Sequence, residues 1–289
     1  MHEAVNPFLM IIRNGQFVDE AQAVLPVHNT EFSYGFGVYE NIKVRNRVCF
    51  FENEHIDRLL ASAEIIGLEH PFLKESLLEW ISTLVHEEQK ESYNIKILLI
   101  GAPSREKAGL YLFSSNPVFP KTPDYRDGVK TISVVSERFL PKAKTLNMLE
   151  SYLAYRKAKA AGAYDSLFVN REGHAIEGTR TNLFGITGKK IVSAPSDRFL
   201  DGVTRKHVLE VAAKNGFSYE EKLFSVEDLL AMDGAFLTST STNIVPIASI
   251  DEKPFSNPVP AALVELMRVF NAFLEEYKQQ KAATAAIQR

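Results

Sequence analysis

The sequence predicts an α/β protein with two domains. Strand-like runs of apolar residues alternate with longer segments in which apolar residues recur at helical spacing. At 289 residues the chain is long enough for one large domain or two modest ones. Three prolines fall within residues 116–128, where periodicity is weak. We therefore expect a smaller N-terminal α/β domain over residues 1–119, a linker over 120–129 and a larger C-terminal domain over 130–289.

Composition is that of an ordinary globular protein, with 45% apolar and 24% charged residues. The net charge of -3 provides no basic field for nucleic acid or an anionic membrane. The single cysteine, Cys49, excludes an internal disulfide and suits a reducing compartment. Apolar runs stay shorter than the ~18–20 residues of a membrane span, and the first residues lack a signal-peptide pattern. We therefore expect a cytoplasmic protein.

In the N-terminal half, alternating apolar positions mark the strands and helical spacing marks two helices. Asn14-Gly15 is a dipeptide typical of a hairpin turn, so residues 9–18 predict two short strands. Gly35 and Gly37 allow a close backbone approach or a tight bend at the start of a strand. The other predicted elements are strands over 23–26, 35–44, 48–51, 94–100 and 108–114, and helices over 52–67 and 74–91.

The C-terminal half alternates in the same way. Apolar residues spaced along one face predict a helix from Lys144 to Ala161, with Gly162 as its stop. A later helix follows Asp201 and ends before Gly216, a typical C-terminal cap. The other predicted elements are strands over 131–135, 166–169, 175–177, 183–186, 191–194 and 235–237, and helices over 226–231 and beyond 258.

Lys144 and Glu177 are the strongest candidates for catalysis. A buried lysine amine can condense with a carbonyl, and a carboxylate that faces a ring nitrogen can keep the electron sink of pyridoxal phosphate protonated. The alternative for Lys144 is a solvated lysine beside Lys142, since lysines are mostly exposed. The alternative for Glu177 is an ordinary turn at the end of a strand, although the small and hydroxyl-bearing residues of 178–182 make that turn more distinctive.

Three further signals suggest a phosphate-binding site. Gly202-Val203-Thr204 begins a helix, where free amides, the helix dipole and a hydroxyl converge on an anion, unless Thr204 is simply the N-cap. Residues 238–242, T-S-T-S-T, supply further hydroxyls, or form only a Ser/Thr-rich loop. Arg58 lies four residues after Glu54 on a predicted helix, and its default interpretation is an exposed ion pair of little energetic value.

Six short motifs follow one another along the chain. They are G-x-G-V-Y-E (Gly35–Glu40), N-E-H-I-D-R-L-x-x-S-A (Asn53–Ala63), K-T-L-N (Lys144–Asn147), E-G-T-x-T-N (Glu177–Asn182), D-G-V-T-R (Asp201–Arg205) and F-L-T-S-T (Phe236–Thr240). In this order they resemble the class IV aminotransferases, the fold type IV pyridoxal phosphate enzymes. That family includes branched-chain aminotransferases, D-amino acid aminotransferases and aminodeoxychorismate lyases.

The resemblance implies a two-domain fold type IV enzyme with pyridoxal 5'-phosphate and a role for each matching residue. Lys144 forms the Schiff base with the cofactor and shuttles a proton between the substrate Cα and cofactor C4′. Glu177 hydrogen-bonds the pyridine nitrogen and keeps it protonated. The resemblance also implies that Leu200 packs against the ring and that Tyr39 lies beside the substrate. It places His55 and Arg138 in supporting positions. The residues that it implies around the phosphate are Arg58, Val203, Thr204, Thr240 and Ser241.

The substrate pocket departs from the family pattern. Branched-chain enzymes carry Tyr-x-Arg where this chain has Tyr93-Asn94-Ile95, and the D-amino acid enzymes and lyases carry arginine where it has Ile100. A buried carboxylate needs a partner. We therefore expect Arg180 to bind the substrate carboxylate, with Lys43 as the second candidate. The alternative for both is solvent exposure or an intersubunit ion pair.

The predicted reaction is ping-pong transamination between an amino acid and a 2-oxo acid, catalysed by a homodimer. Hydrophobic and branched-chain L-amino acids are the expected substrates, because Tyr39, Phe36 and Ile95 suggest an apolar pocket. A D-amino acid aminotransferase and an aminodeoxychorismate lyase remain alternatives. From a different class, so does a non-catalytic protein that binds the cofactor or another phosphate ligand. No metal site, nucleic-acid partner or membrane partner is expected.

Overall fold

The computed structural model describes residues 10–116 and 120–287, with side chains described up to residue 283. These residues form two compact units. The first contains the described residues up to 116 and the short segment Ala143–Asn147, and the second contains residues 120–142 and 148–287. Both units contain a sheet and helices, which confirms the predicted α/β class.

One antiparallel sheet and three helices make up the first unit. Its strands are β1 (Ile11–Arg13), β2 (Gln16–Val18), β3 (Gly37–Arg45), β4 (Val48–Cys49), β5 (Ser92–Ile100) and β6 (Gly109–Ser115). Its helices are α1 (Thr30–Ser33), α2 (Glu52–Ile65) and α3 (Lys74–Glu87), with short 3-10 turns at Glu20–Gln22 and Arg105–Lys107. The six strands are ordered β2-β1-β6-β5-β3-β4.

The hydrophobic core of the first unit lies between one face of this sheet and helices α2 and α3. Side chains alternate between faces along a strand, so Ile95, Ile97 and Leu99 of β5 share the face that packs against the helices. Helical spacing supplies their partners, which are Ile56 and Leu59 of α2 and Leu77, Ile81 and Leu84 of α3. Each fully buried side chain of this kind contributes roughly 1.5–3 kcal/mol to folding.

A nine-stranded sheet and five helices make up the described part of the second unit. Its strands are β7 (Val129–Val135), β8 (Asp165–Val169), β9 (Ala175–Gly178), β10 (Asn182–Thr187), β11 (Lys190–Ser193), β12 (Ser218–Glu221), β13 (Gly234–Ser239), β14 (Asn243–Ile250) and β15 (Lys253–Pro254). Its helices are α4 (Thr122–Asp127), α5 (Leu149–Ala160), α6 (Val203–Lys214), α7 (Val226–Leu230) and α8 (Ala261–Ile287), with a 3-10 turn at Ser196–Arg198.

The sheet of the second unit closes on itself. Its strands run in the order β12-β11-β10-β13-β14-β7-β8-β9, and β9 also pairs with β10. The strands from β10 to β9 therefore form a ring, with a buried apolar cluster that includes Leu167, Leu183 and Leu237. Closing the ring sets Glu177 of β9 directly opposite Asn182 of β10.

Helix α8 is the longest helix of the second unit. Leu263, Leu266, Phe270 and Leu274 recur at helical spacing along it and are buried. Among positions 261–283, whose side chains the structure describes, the others are largely polar or exposed. Among the residues that the structure describes, no helix has both the length and the apolar composition needed to cross a membrane.

The predicted linker, residues 120–129, is folded within the second unit. It contains α4 and the start of β7. Pro123 stands in the first turn of α4, where a missing amide hydrogen costs no helical bond, and the Tyr125 hydroxyl donates to the Thr242 carbonyl over 3.0 Å. The linker prediction is therefore wrong, because the prolines here begin a helix. Residues 1–9, 117–119 and 288–289 of the predicted domains lie outside the described residues.

Lys144 does not begin a helix, and its segment belongs to the first unit rather than to the predicted C-terminal domain. Helix α5 begins only at Leu149. The segment pairs with β3 instead: the Tyr39 amide donates to the Lys144 carbonyl over 2.9 Å, and the Leu146 amide donates to the Gly37 carbonyl over 2.8 Å. Backbone groups committed to this pairing are not available to a helix.

Gly128, at the end of α4, should not tolerate a side chain. Its φ is +81°, and a Cβ added there would lie 2.9 Å from the amide nitrogen of Ala248. Gly162→Ala is the matched control, because Gly162 has a φ of +68° but no atom within 4 Å of an added Cβ. Gly128→Ala should lower the free energy of unfolding by about 1–3 kcal/mol more than the control does. Urea unfolding measures both, and equal losses would contradict the steric explanation.

Candidate active site

The backbone of Lys144 is held from both sides within the first unit. Its carbonyl accepts the hydrogen bond from Tyr39 of β3, and its amide donates to the hydroxyl of Ser62 on α2 over 3.1 Å. Ser62 is buried, and the next residue, Thr145, forms a bridge with Val38. The Lys144 side chain therefore leaves the backbone at a fixed point beside the sheet.

The amine of Lys144 lies against the ring of Tyr39. Its Nζ is 4.4 Å from the ring centroid, within the range of a cation–π contact. Lys96 of β5 approaches the same ring, with its Nζ 5.8 Å from the centroid. Tyr39 is buried and Lys144 is half-buried. The structure thus brings together two of the predicted site residues, the reactive lysine and the tyrosine expected beside the substrate.

Glu40 is a buried carboxylate that holds Arg58 and His55 of α2. Arg58 donates to it twice, from Nε to Oε1 over 2.6 Å and from Nη2 to Oε2 over 2.8 Å, and His55 Nδ1 lies 2.8 Å from Oε2. Burial raises the pKa of Glu40, but Arg58 and His55 outweigh it and hold that pKa well below its usual range. Arg58 is therefore oriented by a bidentate pair with a buried carboxylate, and its side chain is only 13% exposed.

Lys43 is a buried lysine on the same face of β3 as Tyr39, since the two residues are separated by an even number of positions. Its side chain is 6% exposed, and its Nζ lies 5.0 Å from the centroid of the Phe50 ring. Burial, followed by the charge of Arg45, lowers the pKa of Lys43 to about 7. An amine with this pKa is partly neutral near neutral pH and becomes charged when an anion approaches it.

Two residues predicted to line the substrate pocket lie in hydrophobic packing instead. Ile95 is 0% exposed and belongs to the core, where it pairs with Ile42 across β5 and β3. Phe36 packs against the same core, and its ring lies where a Cβ on Gly101 would fall. The prediction for Ile95 is wrong because strand alternation directs it to the helical face of the sheet, away from Tyr39.

An apolar cavity of about 270 Å³ lies over the face of the sheet that carries Tyr39. Leu98, which lines it, is directly opposite Tyr39 in the register of β3 and β5. Ile100, at the position where the resemblance led us to expect arginine in D-amino acid enzymes and lyases, lines it as well. The other lining residues are Ile11, Glu20, Ala23, Leu25, Tyr111 and Phe113. The lining is therefore mainly apolar, with the Glu20 carboxylate as a polar contribution.

In the second unit, Glu177 forms an ion pair with Arg138. The Nε of Arg138 lies 2.6 Å from Oε1 of Glu177, and its Nη2 donates to the carbonyl of Thr179 over 2.8 Å. Glu177 is 3% exposed, and the pairing offsets part of the cost of burying its charge. A buried carboxylate held in this way can accept a hydrogen bond from a protonated ring nitrogen.

Arg180 lies on the exposed side of the turn that follows Glu177. Its guanidinium carbon is 4.3 Å from the centroid of the Tyr155 ring on α5, a stacking contact that arginine favours. Thr179 and Thr181 on either side of it are buried. Of the two cations predicted to bind the substrate carboxylate, Arg180 is thus exposed and Lys43 is buried.

The N-terminus of helix α6 offers a place for an anion. The first amides of a helix have no partner within the helix, and Val203 and Thr204 occupy those positions as buried residues. Gly202 precedes them, and a Cβ there would fall 2.1 Å from the side-chain oxygen of Asn182. Asn182 also donates from its side-chain amide to the carbonyl of buried Leu200 over 2.8 Å. Asn182 therefore fixes the approach of the chain to α6.

A buried hydroxyl lies one strand away from Asn182. Thr238 of β13 faces Asn182 in the strand register, and within the described residues its Oγ1 has no hydrogen-bond partner. The next turn holds Thr240 and Ser241, both half-buried. A buried unsatisfied hydroxyl costs about 1–3 kcal/mol unless another group satisfies it. The surroundings of Thr238 therefore suit a polar ligand.

Sequence reasoning missed the residues that hold the candidates in place. Glu40 orients Arg58, and Ser62 binds the Lys144 backbone. Asp165 accepts hydrogen bonds from the turn that follows Glu177. For Glu40 and Asp165 the sequence did contain a signal, which is an acidic residue within a strand of mainly apolar residues. Acidic side chains are seldom fully buried unless they are paired, so this pattern indicates a nearby partner.

Comparisons with known proteins agree with the motifs. The family model described as amino-transferase class IV matches residues 37–250. A D-alanine aminotransferase from Bacillus licheniformis is 29% identical over 269 residues, which cover 89% of this chain and 94% of that protein. A putative branched-chain-amino-acid aminotransferase from Methanocaldococcus jannaschii is 30% identical over 263 residues, which cover 86% of this chain and 90% of that protein.

Solved structures share the fold. A branched-chain aminotransferase from the thermophilic archaeon Thermoproteus uzoniensis, solved with norvaline, has a TM-score of 0.82 at 27% identity and covers 91% of this chain and 93% of its own. A T.th. branched-chain amino acid aminotransferase, complexed with N-(5'-phosphopyridoxyl)-L-glutamate, has a TM-score of 0.82 at 28% identity, with coverage of 92% and 93%. These likenesses confirm the fold type expected from the motifs.

Lys43→Met should stabilise the protein most at neutral pH. A lysine in the unfolded chain has a pKa of about 10.4, whereas the pKa of native Lys43 is about 7. Between these values the unfolded state binds a proton that the native state lacks, so the Lys43 contribution to stability rises with pH. The gain from Lys43→Met should be about 1 kcal/mol or more near pH 7 and should shrink towards pH 10.

Urea unfolding near both pH values measures this difference. Lys107→Met, at an exposed lysine, is the control and should change the free energy of unfolding by less than about 0.5 kcal/mol. A gain from Lys43→Met that is constant across pH would show that Lys43 titrates as an ordinary exposed lysine.

Proposed function

The chain belongs to the class IV aminotransferases, which use pyridoxal 5'-phosphate, and from that premise we propose that it transfers an amino group from a hydrophobic L-amino acid to a 2-oxo acid. Branched-chain amino acids are the preferred donors in this proposal. The reaction proceeds in two half-reactions, with the 2-oxo acid of the donor leaving before the acceptor binds. The observation that carries the reaction type is the Lys144 amine against Tyr39, at the position that the family motif gives to the reactive lysine.

The residues of each unit, taken separately, fit the cofactor. Within the second unit, the buried Glu177 carboxylate suits a ring nitrogen, and the first amides of α6 at Val203 and Thr204, together with the unsatisfied hydroxyl of Thr238, suit a phosphate-bearing group. Leu200 would pack against the ring. The phosphate would be held by Arg58, Val203, Thr204, Thr240 and Ser241. When bound, the cofactor supplies an electron sink that stabilises negative charge at the substrate Cα.

Lys144 holds and moves the proton in this proposal. Its amine would take the proton from the substrate Cα and carry it to cofactor C4′. The hydrogen-bonded backbone of Lys144 and the Tyr39 ring restrict the amine to a small volume, which favours a productive orientation. Glu177 does not transfer protons to the substrate. It would keep a proton on the ring nitrogen, and the Arg138 ion pair offsets part of the cost of burying its carboxylate.

The preference for a hydrophobic donor is supported by the apolar cavity opposite Tyr39. Branched-chain aminotransferases among the relatives and solved structures point the same way. A D-amino acid aminotransferase is the second candidate, because the Bacillus licheniformis relative with that activity in its name covers a similar share of the chain. Against it stands Ile100, buried where D-amino acid enzymes carry arginine.

The substrate carboxylate needs a cation, and we propose Lys43 and Arg180 as the two candidates. Lys43 is buried on the face that carries Tyr39, and its lowered pKa lets it gain a charge when an anion binds. Arg180 is exposed and stacked on Tyr155, so it would have to leave that ring or act at a subunit interface. The burial of Lys43 favours it over Arg180, which reverses the order expected from the sequence.

We also propose that the protein works as a homodimer in the cytoplasm. Large apolar side chains are exposed in the second unit, including Phe139 at 89% and Val135 at 73%. Exposed apolar patches of this kind mark protein–protein interfaces, and a second copy of the chain is the partner that family membership suggests. The single Cys49 supports a reducing compartment.

Replacing Lys144 should abolish turnover while leaving the fold intact. Lys144→Ala should lower the rate of amino transfer by about 10²–10⁴-fold or more, because it removes both the amine that binds the cofactor and the proton carrier. Borohydride reduction followed by mass spectrometry should attach cofactor to the peptide with Lys144 only in the wild type. Lys142→Ala, which removes an ion pair with Asp201, is the neighbouring control. Wild-type turnover in Lys144→Ala would refute the proposal.

A half-reaction screen separates the candidate substrates. With excess amino acid and no acceptor, loss of the visible absorbance of the bound cofactor should be at least about tenfold faster for L-leucine than for D-alanine. The screen uses L and D isomers of the same side chain as matched controls. A faster reaction with D isomers would favour the D-amino acid enzyme, and release of pyruvate from aminodeoxychorismate without an acceptor would favour the lyase.

A further inference from the structure

We propose that Asp165 is a positioning residue for Glu177. It clamps the turn 178–181 through two threonine hydroxyls, and that turn anchors the arginine that orients the Glu177 carboxylate. The inference rests on the proposed function only for the identity of the ring that Glu177 faces. The clamp itself is a property of the second unit and can be tested without the cofactor.

Asp165 is a buried acid whose oxygens are occupied by the turn. It stands at the start of β8 and is 2% exposed. Its Oδ1 accepts from the hydroxyl of Thr179 over 2.5 Å and from the amide of Ser166 over 2.9 Å. Its Oδ2 accepts from the hydroxyl of Thr181 over 3.1 Å. Burial raises the pKa of Asp165, and the Thr179 hydroxyl opposes that rise by donating to the carboxylate. Carboxylate oxygens accept hydrogen bonds, so three donors in this arrangement match the side chain.

The turn closes tightly around this carboxylate. A Cβ added at Gly178 would fall 2.1 Å from the Thr181 hydroxyl and 2.7 Å from Oδ2 of Asp165. Backbone hydrogen bonds complete the closure, from the Gly178 amide to the Thr181 carbonyl over 2.9 Å and from the Thr179 amide to the Ser166 carbonyl over 3.1 Å. The glycine in E-G-T-x-T-N is therefore needed to let the acid and both hydroxyls meet.

The turn transmits its position to Glu177 through Arg138. The Thr179 carbonyl accepts from Nη2 of Arg138 over 2.8 Å, and Nε of the same guanidinium lies 2.6 Å from Oε1 of Glu177. The guanidinium carbon also lies 5.7 Å from the centroid of the Phe168 ring. Arg138 thus has a hydrogen bond to the turn and an ion-pair contact with the carboxylate, because its buried Nε does not meet the geometry of a hydrogen bond. Movement of Thr179 would displace the positive charge that faces Glu177.

The first test uses hydrogen exchange on the cofactor-free protein. Thr179→Val removes one hydrogen bond to Asp165 and keeps the side-chain shape, and Asp165→Asn removes the charge. In both variants, exchange of the Gly178 and Thr179 amides should speed up by about tenfold or more. Thr131→Val is the matched control, because Thr131 is equally buried and its hydroxyl donates to the Ser249 carbonyl over 3.1 Å, away from the turn. Unchanged exchange in both variants would overturn the clamp.

The second test follows the bound cofactor. If Glu177 is misoriented, the ring nitrogen loses its proton more readily, so the pH at which that nitrogen titrates, followed by NMR of nitrogen-labelled cofactor, should fall by about one unit in Thr179→Val. Thr179→Ser, which keeps the hydroxyl, should restore the wild-type value, and Thr131→Val should not differ from it. Faster exchange without a shift in the ring-nitrogen titration would leave Asp165 as a structural residue and overturn its positioning role.

These two tests separate the inference from the proposed function. If the wild type bound no pyridoxal phosphate, the proposed function would fail, while the exchange result would still decide whether Asp165 clamps the turn. If the wild type bound the cofactor and transaminated normally but Asp165→Asn and Thr179→Val matched it in both measurements, only the positioning role would fail.

Discussion

The backbone pairing between β3 and the segment Ala143–Asn147 is the constraint on which the candidate site depends. Residues Ala143–Asn147 belong to the first unit, where they pair with the start of β3, whereas α5, which begins at Leu149, belongs to the second unit. Within this segment, the Lys144 carbonyl accepts a hydrogen bond from the Tyr39 amide, and the Lys144 amide donates to the Ser62 hydroxyl. A lysine at a helix start would oppose the helix dipole, whereas one in a strand-like segment has no such cost.

Each unit contains a buried glutamate, and in both units an arginine offsets part of the cost of burying its charge. Glu40 in the first unit and Glu177 in the second are both almost fully buried, and each is paired with an arginine. Burial without a partner disfavours the charged form of such an acid. An arginine nitrogen 2.6 Å away offsets part of that cost in both units. Fixed charges are what binding a phosphate and protonating a ring nitrogen both require.

The sequence was sufficient for the family and the fold class, because these leave short motifs with strict spacing. It was insufficient for Ile95, for the segment around Lys144 and for the proline-rich residues 120–129. Local periodicity could not reveal that residues 143–147 pair with a strand about a hundred positions earlier, since that preference is tertiary. Likewise, the roles of Asp165 and Glu40 depend on tertiary contacts. The ring of strands brings Thr179 to Asp165, and helix α2 brings Arg58 to Glu40.

The motifs constrain the choice of substrate less than they constrain the fold or the family. The positions of residues 95 and 100 on strand β5 explain this difference. Positions 95 and 100 lie on the same strand but on opposite faces, so an arginine at one could never replace an arginine at the other. In this chain the first is core and the second lines an apolar cavity. With neither arginine present, we propose the buried Lys43 of β3 as the cation for the substrate carboxylate. Burial lowers its pKa to about 7, so near neutral pH it is partly charged, and it becomes more fully charged when an anion binds. A carboxylate recognised in this way would bind best near and below neutral pH, because binding requires Lys43 to be protonated.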